Sequence, residues 1–342
     1  MRKMDQIPTH TQYILFGAGN VGKEALHAIG AENVYCFADN NKAGEALAGK
    51  RIISFVELKD IATEYNIMIS VGWDAMFMEI ASQLKAGHIC FEVFNPYRTL
   101  IECGEFLQVE KEGAFTKEFV RFIKDEKPKS FANIGAERGG YASIAAHFMA
   151  KDSDIYLFEP IPIFADKLAG MFLNDKRVHV INKAVSNTAG ALELHTVLKP
   201  DQSGIAHSFT IDAEQTMFKD QFSDEYRTVT HTAEMVAIDD YLGDKDIDLV
   251  LMDIEGAEVL AFEGMEKLIA KRKTTFFLEV HTSYMEAIRP GGIQYINELF
   301  KKYNYEIQWC QYDKNDYAGT RGGTQLIPVS DIQFEHCVMR PR

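Results

Sequence analysis

Cysteine is scarce in this 342-residue chain, and the five present (Cys36, Cys90, Cys103, Cys310 and Cys337) are scattered without a Cys-x-x-Cys pair. An odd number at such spacing argues against both a disulfide framework and a structural zinc site, and it points to a reducing, cytoplasmic setting. No apolar run approaches the roughly 18 residues that cross a bilayer. The first ten residues are polar, carry Asp5 and Pro8, and lack the apolar core of a signal peptide. Basic residues are outnumbered, with 36 Lys plus Arg against 50 Asp plus Glu and a net charge of −14. That field repels phosphate backbones, so nucleic acid is not an expected partner. Low-complexity stretches are missing too. With 46% hydrophobic and 25% charged residues, the composition is that of a globular protein long enough for two domains.

What is present is one pattern that occurs twice. Tyr13 to Phe16 reads as a buried strand, followed by Gly17-Ala18-Gly19-Asn20-Val21-Gly22 and a helical stretch from Lys23 to Ile29. A second apolar run, Asn33 to Phe37, ends at Asp39. Strand, glycine-rich turn, helix, strand and acidic residue form the layout of a nucleotide-binding βαβ unit, with Gly17, Gly19, Gly22 and Asp39 as its candidate site. Strands at 51–53, 67–71 and 89–94, separated by helical segments, predict a parallel sheet over residues 1–97. Residues 98–129 read as a helical connector, because Phe106, Phe115, Phe119 and Phe122 recur at helical spacing before Pro128.

The second unit, 130–342, begins with Phe131-Ala132-Asn133-Ile134 and the turn Gly135-Ala136-Glu137-Arg138-Gly139-Gly140-Tyr141. Later strands end at Glu159-Pro160, Asn182, Asp253 and Glu279-Val280-His281, and a β-rich excursion fills 190–238 between the third and fourth strands. The fold class expected is therefore α/β, with two doubly wound, Rossmann-like domains. In such sheets ligands sit at the carboxyl ends of the strands. The Gly135-x-x-x-Gly139 spacing differs from a pyrophosphate turn and suits a ligand without phosphates, such as an adenosyl group with an amino-acid tail. Glu159, twenty residues beyond Gly139, is placed to accept hydrogen bonds from two ribose hydroxyls.

These runs resemble the FkbM family of methyltransferases. The resemblance rests on the Asn133–Ser143 loop, Phe158-Glu159-Pro160, Asn182-Lys183-Ala184-Val185-Ser186, Ile238-Asp239-Asp240-Tyr241-Leu242, Met252-Asp253-Ile254-Glu255-Gly256-Ala257-Glu258 and Leu278-Glu279-Val280-His281, in family order over about 130–285. It implies a class I fold, S-adenosylmethionine as donor, and O-methylation of a sugar hydroxyl in polysaccharide or glycolipid biosynthesis. Asn133, Gly135, Ala136, Glu137, Gly139, Tyr141, Glu159, Pro160, Ala184, Val185 and Asp253 would then form the donor site. The family usually has Asp where this chain has Asn133; Asn supplies no charge for the methionine ammonium, and Glu137 is the carboxylate that would compensate.

A sugar hydroxyl needs a base or a metal to lose its proton. The expected catalytic group is Asp253, Glu255, Glu279 and His281, with His281 or Asp253 as base and the other orienting the acceptor. A divalent cation such as Mg2+ on Asp253 and neighbouring carboxylates is a variant. Against these stand plainer readings: Glu255 and Glu258 as helix caps, and His281 as a hydrogen-bonded structural residue. The excursion 199–226 would form an acceptor-binding lid, with His207 and Ser208 as either acceptor contacts or solvated loop residues. For the first unit, a nucleotide or nucleotide-sugar ligand is favoured over hydride transfer, since no Tyr-x-x-x-Lys follows. Two alternatives stand beside methyl transfer: an NAD-dependent oxidoreductase using the first unit, and a non-catalytic ligand-binding protein with a degenerate second unit. The partner is a small-molecule or glycan acceptor; homo-oligomerisation is left open.

Overall fold

The structure is a computed structural model that describes residues 11–72, 74–102, 104, 113–198, 205–210, 227–311, 325–332 and 335–342. Side chains of 198, 205–210, 227, 311 and 335 are outside that description. The chain forms a mixed α/β fold with two parallel-rich sheets and a smaller third one.

The first sheet has the order β3-β4-β2-β1-β5-β6, with β1 Tyr13–Phe16, β2 Val34–Ala38, β3 Ala46–Leu47, β4 Lys50–Ile53, β5 Asn66–Ile69 and β6 Glu92–Val93. Its central strands are parallel, in register at Leu15 with Phe37 and with Met68. They read as continuous apolar runs because helices cover both faces, and two separate clusters, around Phe16 and Phe37, are the result.

The eight-stranded sheet has the order β17-β16-β18-β15-β14-β7-β8-β9. Its parallel strands are β7 Ser130–Ile134, β8 Asp154–Phe158, β9 Val178–Ile181, β14 Leu249–Met252 and β15 Thr275–Val280. β18 Glu335–Pro341 runs antiparallel between β15 and β16 Tyr305–Gln311, and β17 Gln325–Val329 closes the edge. Side chains alternate across the sheet. Ala132, Ile134, Val250 and Met252 join one core, while Phe131, Leu249 and Leu251 join the other. The second core receives Phe115, Phe119 and Phe122 from the helix Gly113–Glu126, as their spacing predicts; Phe106 lies outside the described residues.

The excursion becomes a four-stranded sheet, β10-β13-β11-β12, with β10 Ala184–Val185, β11 Gly190–Leu198, β12 Ile205–Thr210 and β13 Arg227–Val236. No helix among the described residues is long and apolar enough to cross a membrane.

The chain runs outward from β7 through β8 to β9 and then returns to the other side of β7 as β14. The order therefore reverses between β7 and β14, and in open α/β sheets the crevice outside the carboxyl ends at such a point is where ligands bind.

Candidate active site at the carboxyl edge of the second sheet

The β7 and β14 strands are in register at Ile134 and Met252, so their exits, Gly135 and Asp253, lie side by side. A Cβ on Gly135 would stand 1.9 Å from the Asp253 carbonyl oxygen, and its φ is +82°. Only glycine lets the two loops approach so closely. Gly135 and Ala136 then donate their N–H groups to the Phe158 carbonyl at 3.0 and 3.1 Å, tying the turn to β8. Glu137 follows with φ +43°, and Glu255, after β14, has φ +53°. Left-handed backbone at residues other than glycine costs about 1–3 kcal/mol and persists where its surroundings hold it, often at functional sites.

Glu159, at the end of β8, is buried. Its Oε2 accepts the Glu137 N–H at 2.7 Å and its Oε1 accepts the Ile161 N–H at 2.8 Å. Burial pushes its pKa up to about 7 against the pull of those two N–H groups. Each oxygen keeps a lone pair for a further donor. Asn182 bonds the Glu159 and Pro160 carbonyls and so fixes the same corner. Asn133 is buried, and its Oδ1 has no hydrogen-bond partner among the described residues. An orphaned buried acceptor is costly unless a ligand satisfies it. An ammonium group would do so, which is the fit a methionine tail needs here.

A cavity of about 660 Å³ joins these groups. Asn133, Gly135, Ala136, Glu137, Tyr141, Glu159, Pro160, Ala184, Val185, Asp253, Glu255 and Glu279 line it, together with Leu192, Leu194 and Met235 of the third sheet. Gly139 and His281 are not on its wall: Gly139 starts the helix Gly140–Phe148 and backs onto Leu168.

His281 sits behind, among four carboxylates. Its Nε2 is 3.6 Å from both Glu255 and Glu279, and its Nδ1 is 3.5 Å from Glu258 and 4.0 Å from Asp253. Burial opposes charge on the ring, but Glu258, Glu279 and Asp253 outweigh it and push the pKa up to about 12. Burial likewise works against Glu279, yet His281 and His336 hold its carboxyl well below the usual range. Asp253 is raised well above its ordinary value by burial and then by Glu279 and Glu255. Asp253, Glu255 and His281 each offer one ligand atom, all within 4.8 Å of one another. Two carboxylates and one imidazole suit a divalent cation of the Mg2+ or Mn2+ kind.

Two members of this cluster escape sequence reasoning. Glu258, read from the sequence only as a helix cap, instead accepts N–H groups from Ile254 and Gly256 in the turn before its helix, and it faces His281 from full burial. His336 reaches Glu279 because β18 pairs antiparallel with β15 at exactly those two residues, at 3.6 Å. Nothing in the local sequence signals that register.

In the first sheet, Gly17 and Gly19 follow β1, Asp39 follows β2, and Gly22 lies in the helix Asn20–Ile29 against the Gly17 carbonyl. Asp39 accepts N–H groups from Ala18 at 3.0 Å and Asn41 at 2.9 Å, and Lys42 donates to the Ala18 carbonyl. The carboxylate therefore holds its own loop. His207 and Ser208 fall on β12, with side chains outside the description, and residues 199–204 and 211–226 lie outside the described residues.

Strand order and cavity together define a doubly wound α/β fold with a ligand crevice at its reversal point. The profile of the methyltransferase FkbM domain matches residues 133–307, and the chain belongs to that family. No curated protein matches it. Among solved structures it is similar to a methyltransferase FkbM from Methylobacillus flagellatus KT, at 14% identity over 96% of this chain and 89% of that one, TM-score 0.36. It is also similar to an O-methyltransferase from Bacillus cereus in complex with SAH (12% identity, 78% and 98% covered, TM-score 0.38) and to a SAM-dependent O-methyltransferase from Thermotoga maritima (11%, 69% and 69%, 0.33).

Proposed function

We propose that this protein transfers a methyl group from S-adenosylmethionine to a sugar hydroxyl, in the cytoplasm, on a polysaccharide or glycolipid precursor. The observation that carries the reading is the single cavity in which an orphaned Asn133 and a buried Glu159 face the Asp253–Glu255–Glu279 carboxylates. One half suits an ammonium and a ribose, and the other a hydroxyl that must lose its proton.

The donor supplies a methyl carbon on a sulfonium, so the chain's task is largely alignment and proton removal. Glu159 would accept the ribose hydroxyls, and Asn133 the ammonium. The acceptor oxygen attacks the methyl carbon in line, the carbon–sulfur bond breaks, and the hydroxyl proton passes to Asp253. Asp253 lines the cavity beside the donor turn and is placed to take that proton, whereas His281, set behind the wall among four carboxylates, orients Asp253 and Glu279. A divalent cation, if bound by Asp253, Glu255 and a His281 that gives up its proton on binding, would lower the pKa of the acceptor hydroxyl.

Calorimetric titration with S-adenosylhomocysteine tests the reading. One site per chain with a micromolar Kd is expected, and Glu159→Ala should weaken it by about 1–3 kcal/mol, because ribose hydroxyls lose a buried partner. Absence of binding by the unaltered protein would overturn the donor assignment.

A further inference from the structure

The first sheet reaches the donor side of the cavity through one buried carboxylate. Asp74 opens the helix Asp74–Ala86, which follows β5, and so stands at that sheet's carboxyl edge. Its side chain is only 8% exposed, and two cations, one from a turn and one from a helix of the second sheet's unit, close on it. Lys167 donates to Oδ1, and the Arg138 guanidinium approaches Oδ2 at 3.4 Å. Each cation also lies over an aromatic ring, Arg138 on Phe164 at 4.9 Å and Lys167 on Phe77 at 5.2 Å.

These cations belong to the two donor-side corners. Arg138 is in the turn after β7, and Lys167 is on the helix Pro162–Met171, which starts just beyond Glu159. Arg138 Nε lies 3.5 Å from Glu137 Oε1, and Glu137 gives its N–H to Glu159. The left-handed φ of Glu137 needs its surroundings to hold it. Asp74 therefore ties the turn that carries Glu137 to the helix that starts just beyond Glu159.

We infer that Asp74 is a positioning residue for donor binding: by clamping Arg138 and Lys167 it holds the Glu137 N–H and the Glu159 carboxylate in the geometry a ribose requires. This rests on the donor reading above. A built-in control is available. Lys85 and Asp166 pair at 2.7 Å between the same two helices, at the surface and away from the turn.

The experiment is calorimetric titration of the full chain with S-adenosylhomocysteine and with its 2′,3′-dideoxy analogue, alongside thermal melts. Asp74→Asn should weaken S-adenosylhomocysteine at least fivefold and the analogue less than twofold, while Asp166→Asn leaves both within twofold. Asp74→Glu should restore part of the loss. If Asp74→Asn does not fold, the double variant Asp74→Asn, Lys167→Met removes the stranded ammonium and is titrated instead. Equal binding by Asp74→Asn and the unaltered protein would overturn the inference, as would an equal loss for both ligands, which marks a merely structural contact. If the unaltered protein binds neither ligand, the donor reading itself falls, and the role of Asp74 falls with it.

Discussion

At neutral pH Glu159 stands near the midpoint of its own titration, since burial has pushed it up to about 7. The folded chain therefore holds this proton where the unfolded chain has lost it. Between the ordinary carboxylate range and pH 7, the native state binds more protons, so this group's contribution to stability falls as pH rises. Ligand binding runs the other way. Ribose hydroxyls donate, and they favour the ionised carboxylate, so affinity for S-adenosylhomocysteine should rise from pH 6 to 8 and level off above. Titrations across that range, in buffers of different ionisation enthalpy, read both the Kd and the proton released. Glu159→Gln should flatten the profile; an unchanged slope would remove Glu159 from contact with the ligand. The position of this residue was legible, because a strand-end acid at a fixed distance from a glycine turn follows from the βαβ layout. Its backbone partners were not, since they depend on the Glu137 φ, which no sequence pattern reports. His336 was illegible for a related reason: its link to Glu279 is made by antiparallel register across the sheet.

At the scale of elements, the apolar strands and the Phe-spaced helix were legible because buried parallel strands are apolar throughout and a helix shows a 3.6-residue stripe. Phe277 on β15 meets Phe115, Phe119 and Phe122 at ring distances of 5.3, 5.3 and 6.0 Å, so one strand residue touches all three rings of this helix, beside contacts from Tyr141, Phe131 and His336. Phe277→Ala should cost about 3–5 kcal/mol, as deletion of a fully buried ring leaves a cavity. Urea unfolding checks it, and a loss below about 1 kcal/mol would mean the helix does not rest there. β17 was missed because it is an edge strand of half-exposed residues with Pro328 next to its end, and proline demotes a strand reading while edges tolerate it. The short helices Glu266–Ala270 and Thr282–Ile288 were missed because they are too brief to show a period.

At the scale of the whole molecule, the helix Pro162–Met171 serves both sheets. Leu168 packs into a core of the eight-stranded sheet, while Ile163 packs against a core of the first. The contact is closest at Gly170, where a Cβ would stand 2.3 Å from Val93 Cγ2 on β6. Two effects of Gly170→Ala then have opposite signs. Alanine in a helix is favoured over glycine by about 1 kcal/mol, whereas forcing a methyl into a filled contact costs typically about 1–3 kcal/mol. The clash should win, so Gly170→Ala should lower stability in urea unfolding. Placing Val93→Ala in the same chain opens the space, and the helix preference should then recover most of the loss, a coupling that a double-mutant cycle reads directly. If Gly170→Ala alone raises stability by about 1 kcal/mol, the sheets are not docked at this contact in solution, and the route from Asp74 to the donor turn loses its mechanical basis.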